Sequence, residues 1–137
     1  MNSRKRVIWT WIIAVFFVGA GSNHFLSPTP YLAMMPSYLP WHSLLVWISG
    51  IAEICGGIGI LLRPVKVVAG WGLIALLVAV FPANLNVALN GWPGVSLPMW
   101  SLWARLPLQI VMIWAVYFLV IADAAEVETR ASYSKKA

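Results

Sequence analysis

The chain has 137 residues, of which 61% are hydrophobic and 9% are charged, and its mean hydropathy is +0.84. Soluble domains carry about 25% charged residues, so this composition excludes an ordinary soluble domain and indicates one integral membrane domain over residues 1–137. The net charge of +5 does not indicate a nucleic-acid partner, because the basic residues form three short clusters beside apolar segments. The single cysteine, Cys55, excludes a disulfide framework within one chain.

The first predicted membrane span covers residues 7–26, close to the length that a bilayer core requires. The basic head at residues 4–6, followed by an apolar run and small residues, also resembles a secretory signal. We favour a retained helix, because Asn23 and His24 suit the polar end of a span.

Two uncharged segments, residues 27–41 and 95–103, are rich in proline and aromatic residues. Proline favours extended pieces and turns, and tyrosine and tryptophan favour the lipid headgroup level. We expect the first segment to lie on the membrane surface, as an interfacial linker in preference to a ligand lid, and the second to resemble it. Six tryptophans near the predicted interfaces are typical belt anchors: Trp9, Trp11, Trp41, Trp92, Trp100 and Trp103.

Three further spans and a polar tail complete the predicted organisation: residues 43–62, 67–89 and 104–122, with the tail at 123–137. Pro82 is expected to kink the third span, and Pro107 falls in the first turns of the fourth. Eight of the nine Lys and Arg residues lie in the head, the 63–66 junction and the tail, the exception being Arg105. The positive-inside bias then predicts an all-α bundle of four transmembrane helices with both termini cytoplasmic.

Glu53 lies in the middle of the second span, where a charge costs at least about 2.5 kcal/mol. Its side chain must therefore find a partner, hold a proton or face a cavity. Three glycines fall within about 60° of it on the same helix face: Gly50, Gly56 and Gly57. Small residues let membrane helices pack closely, so we expect Glu53 to point into the bundle.

Each of the other spans contributes a polar side chain to the outer half of the bundle: His24, Asn84, Arg105 and Gln109. Polar groups on facing helices build sites inside bundles, which predicts a pocket that opens outward or into the outer leaflet. A structural alternative stays open, in which Glu53 and Arg105 neutralise each other. Asn84 and Gln109 would then satisfy the remaining hydrogen-bonding groups.

Other chemistry finds little support in the sequence. His24 and His42 are too few for a zinc site, so no metal is predicted. Cys55 points away from the Glu53 face and is interpreted as a small core residue. No nucleophile elbow, P-loop or dinucleotide fingerprint occurs, so whether the protein is an enzyme stays open.

An ordered set of residues resembles the DoxX-like family of small bacterial membrane proteins over about residues 14–122. The set is Ala20-Gly21-Ser22-Asn23-His24-Phe25, Pro28, Tyr31, Pro36, Leu39-Pro40, Leu45-Val46, Ser49-Gly50, Glu53-Ile54, Gly57, Gly59, Leu61-Leu62 and Phe81-Pro82-Ala83-Asn84. The resemblance implies a four-helix protein of the inner (plasma) membrane. Its named relatives include a subunit of an archaeal thiosulfate:quinone oxidoreductase and a component of a mycobacterial membrane oxidoreductase complex. A more distant animal branch acts as an assembly chaperone for nicotinic receptors.

Two functional hypotheses follow. In the first, the protein is a subunit or accessory of a membrane redox system and binds a quinone or other small apolar molecule in the outer-half pocket. Glu53 and His24 would handle a proton or hydrogen-bond a carbonyl, and Arg105 would set the charge state of the carboxylate. In the second, it is a non-catalytic assembly or scaffolding protein that docks a partner helix on its glycine face or aromatic loops. A transporter or channel is a weaker option. The expected partners are the lipid bilayer, another membrane or redox protein, or a second copy of the chain.

Overall fold

The computed structural model describes residues 3–125, and the chain is all-helical over that range. Its helices are α1 (Ser3–Leu26), α2 (Pro28–Met34), α3 (His42–Gly59), α4 (Lys66–Asn90) and α5 (Met99–Val116), followed by a π-helical segment (Tyr117–Ala122). The part of the predicted tail beyond residue 125, with three of the basic residues used to predict the topology, lies outside the described residues.

Over the described range, four helices are long and apolar enough to cross a membrane: α1, α3, α4, and α5 with its continuation to Ala125. The predicted number of apolar helices of spanning length is therefore confirmed, and the chain has the composition of a multi-pass membrane protein.

The four long helices run alternately up and down. Arg6 Nη1 lies 2.8 Å from Asp123 Oδ1, so α1 begins at the end of the molecule where the last helix finishes. Trp92 donates its indole N–H to Pro30 O at 2.8 Å, which brings the 91–98 loop and α2 together at the opposite end. Successive long helices pack side by side, and the π-helical segment returns to α1. We call the two ends of the bundle the basic end and the α2 end.

Residues 28–34 form a short helix where the sequence predicted only extended pieces and turns. Pro28 and Pro30 both fall in the first turn of α2. The backbone N–H groups of a first turn have no partner within the helix, so proline is tolerated there. The expectation of a non-helical segment was wrong for this stretch.

The last helix begins at Met99, whereas the predicted span began at residue 104. Pro98 immediately precedes the helix, so Pro107 lies in the helix interior rather than in its first turns. The α4 helix likewise continues through Pro82 without interruption. Membrane helices tolerate such prolines where neighbouring groups satisfy the freed backbone.

The predicted glycine face of α3 lies against two neighbouring helices. A Cβ added at Gly50 would lie 2.8 Å from His24 Cβ, and one at Gly57 would lie 2.9 Å from Ala14 O, both on α1. A Cβ at Gly56 would instead collide with Leu73 of α4. Neighbouring helices of the same chain therefore cover the surface of α3 at these glycines.

Cys55 is exposed on the surface of α3, so its interpretation as a core residue was wrong. It lies two positions from Glu53, about 200° around the helix. Because Glu53 faces the bundle, that rotation turns Cys55 outward, away from the packed faces of α3.

Candidate functional site

All five polar residues singled out in the sequence line one cavity of about 550 Å³: His24, Glu53, Asn84, Arg105 and Gln109. Every helix from α1 to α5 contributes to its lining. Most of the wall is apolar, including Phe16 of α1 and Leu108 and Met112 of α5. The volume falls within the range of about 300–1,000 Å³ that is usual for ligand pockets.

His24 and Glu53 face each other across the contact between α1 and α3. His24 Nε2 lies 3.7 Å from Glu53 Oε2. On the other side of the ring, His24 Nδ1 lies 2.9 Å from Val46 O and 3.0 Å from Ser49 Oγ. A carbonyl only accepts hydrogen bonds, so Nδ1 carries a hydrogen. The Nε2 atom, on the opposite side of the ring, faces the carboxyl group of Glu53.

The Oε2 atom of Glu53 is buried and has no hydrogen-bond partner among the described residues. Its separation from His24 Nε2 is too long for a hydrogen bond. Within the described chain, the carboxyl group therefore keeps one oxygen without a hydrogen bond, and this oxygen can bond to a third group in the cavity.

Asn84 and Gln109 satisfy each other across α4 and α5. Asn84 donates its side-chain N–H to Gln109 Oε1 at 3.0 Å. Gln109 in turn donates to Leu77 O, in the stretch of α4 just before Pro82. This chain of amide hydrogen bonds joins α4 and α5. The structural alternative had the two amides satisfying groups left over by Glu53 and Arg105, whereas they bond to each other and to the backbone.

Arg105 does not pair with Glu53. Its Cζ lies 4.1 Å from the ring centroid of Trp92, and within residues 3–125 no carboxylate oxygen comes within salt-bridge distance of it. The proposed neutralisation of these two groups is therefore wrong. The physical reason is that His24 faces Glu53, while Trp92 offers the guanidinium a cation–π contact nearer the α2 end.

Tyr31 and Met34 of α2, and Met35 directly after the helix, line the cavity. The ring of Tyr31 lies 3.8 Å from that of His24, and Asn23 donates to the Tyr31 hydroxyl at 2.9 Å. Asn86 of α4 donates to Met34 O at 3.0 Å, which fixes the other end of α2. The choice between an interfacial linker and a ligand lid stays a prediction, and the structure adds that this segment contributes to the cavity lining.

The model of one family, described as Domain of unknown function (DUF8561), matches residues 13–120 of the chain, which include every polar residue of the cavity. The chain belongs to the DUF8561 family. No curated protein and no solved structure matches it. Membership in DUF8561 assigns no activity, ligand or partner, and the resemblance to DoxX-like proteins stays a prediction.

A second polar cluster, at the basic end, was missed by the sequence analysis. Asp123 accepts hydrogen bonds from Arg6 at 2.8 Å and from Lys66 at 3.0 Å. The sequence did contain a signal for this cluster, because Asp123 follows the last predicted span on the side where Arg6 and Lys66 flank earlier spans. Over the described residues, no group of three or more His, Cys, Asp or Glu side chains comes together as a metal site would require.

Proposed function

We propose that the protein spans the plasma (inner) membrane four times, with its basic end in the cytoplasm and the cavity in the outer half of the bilayer. The distribution of Lys and Arg along the sequence supports this orientation. The uncharged α2 and 91–98 segments would then lie at the outer surface, directly over the cavity.

We further propose that the cavity binds a small apolar molecule with a hydrogen-bonding group, and that the protein serves as a subunit or accessory of a membrane redox system. The observation that carries this proposal is the buried, unpartnered Glu53 Oε2 beside His24 in an otherwise apolar cavity. Ionisable groups inside a membrane mark functional sites by default. The resemblance to DoxX-like proteins favours a quinone as the ligand.

The chemistry available at the pair suits a carbonyl ligand. A proton on Glu53 or His24 would be donated in a hydrogen bond to a carbonyl oxygen, or transferred to it when the redox system supplies electrons to the ligand. The His24 ring would keep its orientation during this exchange, because Val46 O and Ser49 hold Nδ1.

The test is native mass spectrometry of the protein extracted in a mild neutral detergent. The unmodified protein is expected to retain a bound apolar molecule, and Glu53→Gln is expected to lose it. Gln keeps the size of the side chain but cannot supply an acidic proton. Cys55→Ala, on the exposed face of the same helix, is the matched control and should retain the ligand.

Two results would contradict the proposal: an empty cavity in every variant, or full occupancy of Glu53→Gln with the same molecule. The thermal midpoint of each variant, measured in the same detergent, separates loss of ligand from loss of fold. In the first case the polar set would be only structural, and in the second the ligand would not depend on the Glu53 carboxyl group.

The assembly or scaffolding alternative keeps one of its two suggested surfaces. Gly50 and Gly57 pack on α1 and Gly56 packs on α4, so the glycine face is closed to a partner helix. The aromatic residues at the α2 end, such as the exposed Trp41 and Trp100, are the surface on which another membrane protein or a second copy would dock.

A further inference from the structure

Arg105 carries the unbalanced charge of the cavity. Its guanidinium lines the cavity and contacts the Trp92 ring, a contact that uses no hydrogen-bond donor. Of the acidic groups in the described chain, Asp123 is held by Arg6 and Lys66 at the basic end, and Glu53 lies opposite His24. Arg105 is therefore a half-buried cation with no carboxylate partner over residues 3–125.

The remaining polar groups of the cavity do not pair with this charge. Glu53 lies opposite His24 and forms no salt bridge with Arg105. Asn84 and Gln109 are uncharged amides bonded to each other. Among residues 3–125 the guanidinium therefore has no adjacent counter-charge, and in a low-dielectric place it attracts one strongly.

We infer that the occupant of the cavity is a single-chain amphiphile with an anionic head, a carboxylate or a phosphate, which Arg105 binds. The five N–H donors of a guanidinium match the oxygens of such a head in a two-bond geometry. The hydrocarbon chain would lie along Phe16, Leu108 and Met112, between α1 and α5. This inference rests on the proposed function and names the ligand class: a neutral quinone would leave the charge of Arg105 unbalanced.

The experiment compares four amphiphiles by titration calorimetry against the full chain in neutral maltoside micelles: dodecanoate, dodecyl phosphate, dodecanol and decylubiquinone. We expect the two anions to bind at least about tenfold more tightly than dodecanol. Arg105→Gln should remove that preference, whereas Arg105→Lys keeps the charge and should retain part of it. Arg63→Gln removes a charge from an exposed turn at the basic end and should change nothing.

Equal binding of dodecanoate and dodecanol, or an unchanged anion affinity in Arg105→Gln, would overturn the inference. Selective binding of decylubiquinone that depends on Glu53 but not on Arg105 would overturn it too, while leaving the proposed function intact. Failure of all four amphiphiles to bind would reject both. Mass spectrometry of molecules that co-purify with the protein then separates the two anionic heads, the carboxylate of a free fatty acid and the phosphate of a single-chain phospholipid.

Discussion

Gly21 and Gly50 set the distance between His24 and Glu53. A Cβ added at Gly21 would lie 2.6 Å from Gly50 O and 2.9 Å from Glu53 Cβ. Because Gly21 lies one turn before His24 on α1, this close approach places the imidazole beside the carboxyl group. Gly21 was not among the glycines selected from the sequence, since its role depends on which face of α3 it meets.

Gly21→Ala is expected to destabilise the fold, by about 1–3 kcal/mol, because the added methyl must displace backbone rather than a flexible side chain. Thermal unfolding in detergent should show a lower midpoint. Gly19→Ala, two residues earlier on the same helix, is the control: a Cβ there meets nothing within 4 Å, and alanine favours helix. Equal midpoints for the two variants would mean that α1 and α3 can separate without cost.

At this scale the sequence predicted which residues form the polar set but not how they pair. Glu53, His24 and Arg105 are conspicuous because each interrupts an apolar run. Pairing depends on helix rotation and on competing partners. Trp92 contacts Arg105. This contact was not predicted, because Trp92 was interpreted as an anchor at the membrane interface.

Helix α5 continues into a π-helical segment, Tyr117–Ala122, before it reaches Asp123. Arg105 and Asp123 are eighteen residues apart, about five complete α-helical turns, so an unbroken α-helix would put them on one face. A π-helix has wider turns than an α-helix. Sequence periodicity assumes one pitch throughout and therefore did not predict this segment.

Asp123→Asn is expected to lower the thermal midpoint at low salt, because one carboxylate joins Arg6 of α1 and Lys66 of α4 to the end of the last helix. These side chains are partly exposed, so their attraction is screened by salt. The difference from the unmodified protein should shrink at high salt.

Arg63→Gln provides the charge control for this measurement, since Arg63 is exposed in the turn between α3 and α4. It should show no salt-dependent loss. If the Asp123→Asn deficit persisted at high salt, the contribution of Asp123 would come from packing rather than from charge.

The boundaries of α2 and α5 escaped prediction for a common reason. Proline was taken as a breaker in residues 27–41 and 95–103, yet in the structure it lies at the start of a helix: Pro28 opens α2 and Pro98 precedes α5. Proline is as compatible with a first turn as with a loop. Composition alone does not separate the two cases, whereas the long apolar runs left no doubt about the four spans.

For the whole molecule, the alternating helices place residues 91–98 and residues 60–65 at opposite ends of the bundle. With the basic end in the cytoplasm, a cysteine at Ser96 should react with a membrane-impermeant maleimide added to intact cells. A cysteine at Val65 should react only after the membrane is permeabilised. Both positions are exposed in the structure.

Each substitution is made in a Cys55→Ala background, which removes the only native thiol. If Val65→Cys were labelled in intact cells and Ser96→Cys were not, the orientation would be the reverse of the one proposed. The cavity would then open toward the cytoplasm.

The pairing of Glu53 with His24 joins two consecutive spans, α1 and α3, whereas Arg105 and Gln109 arrive on the last one. During synthesis, His24 can therefore meet Glu53 as soon as α3 has been made. The cavity wall is completed only when α5, which carries Arg105 and Gln109, packs against the earlier helices. The two halves of the polar set thus come together at different stages of chain growth.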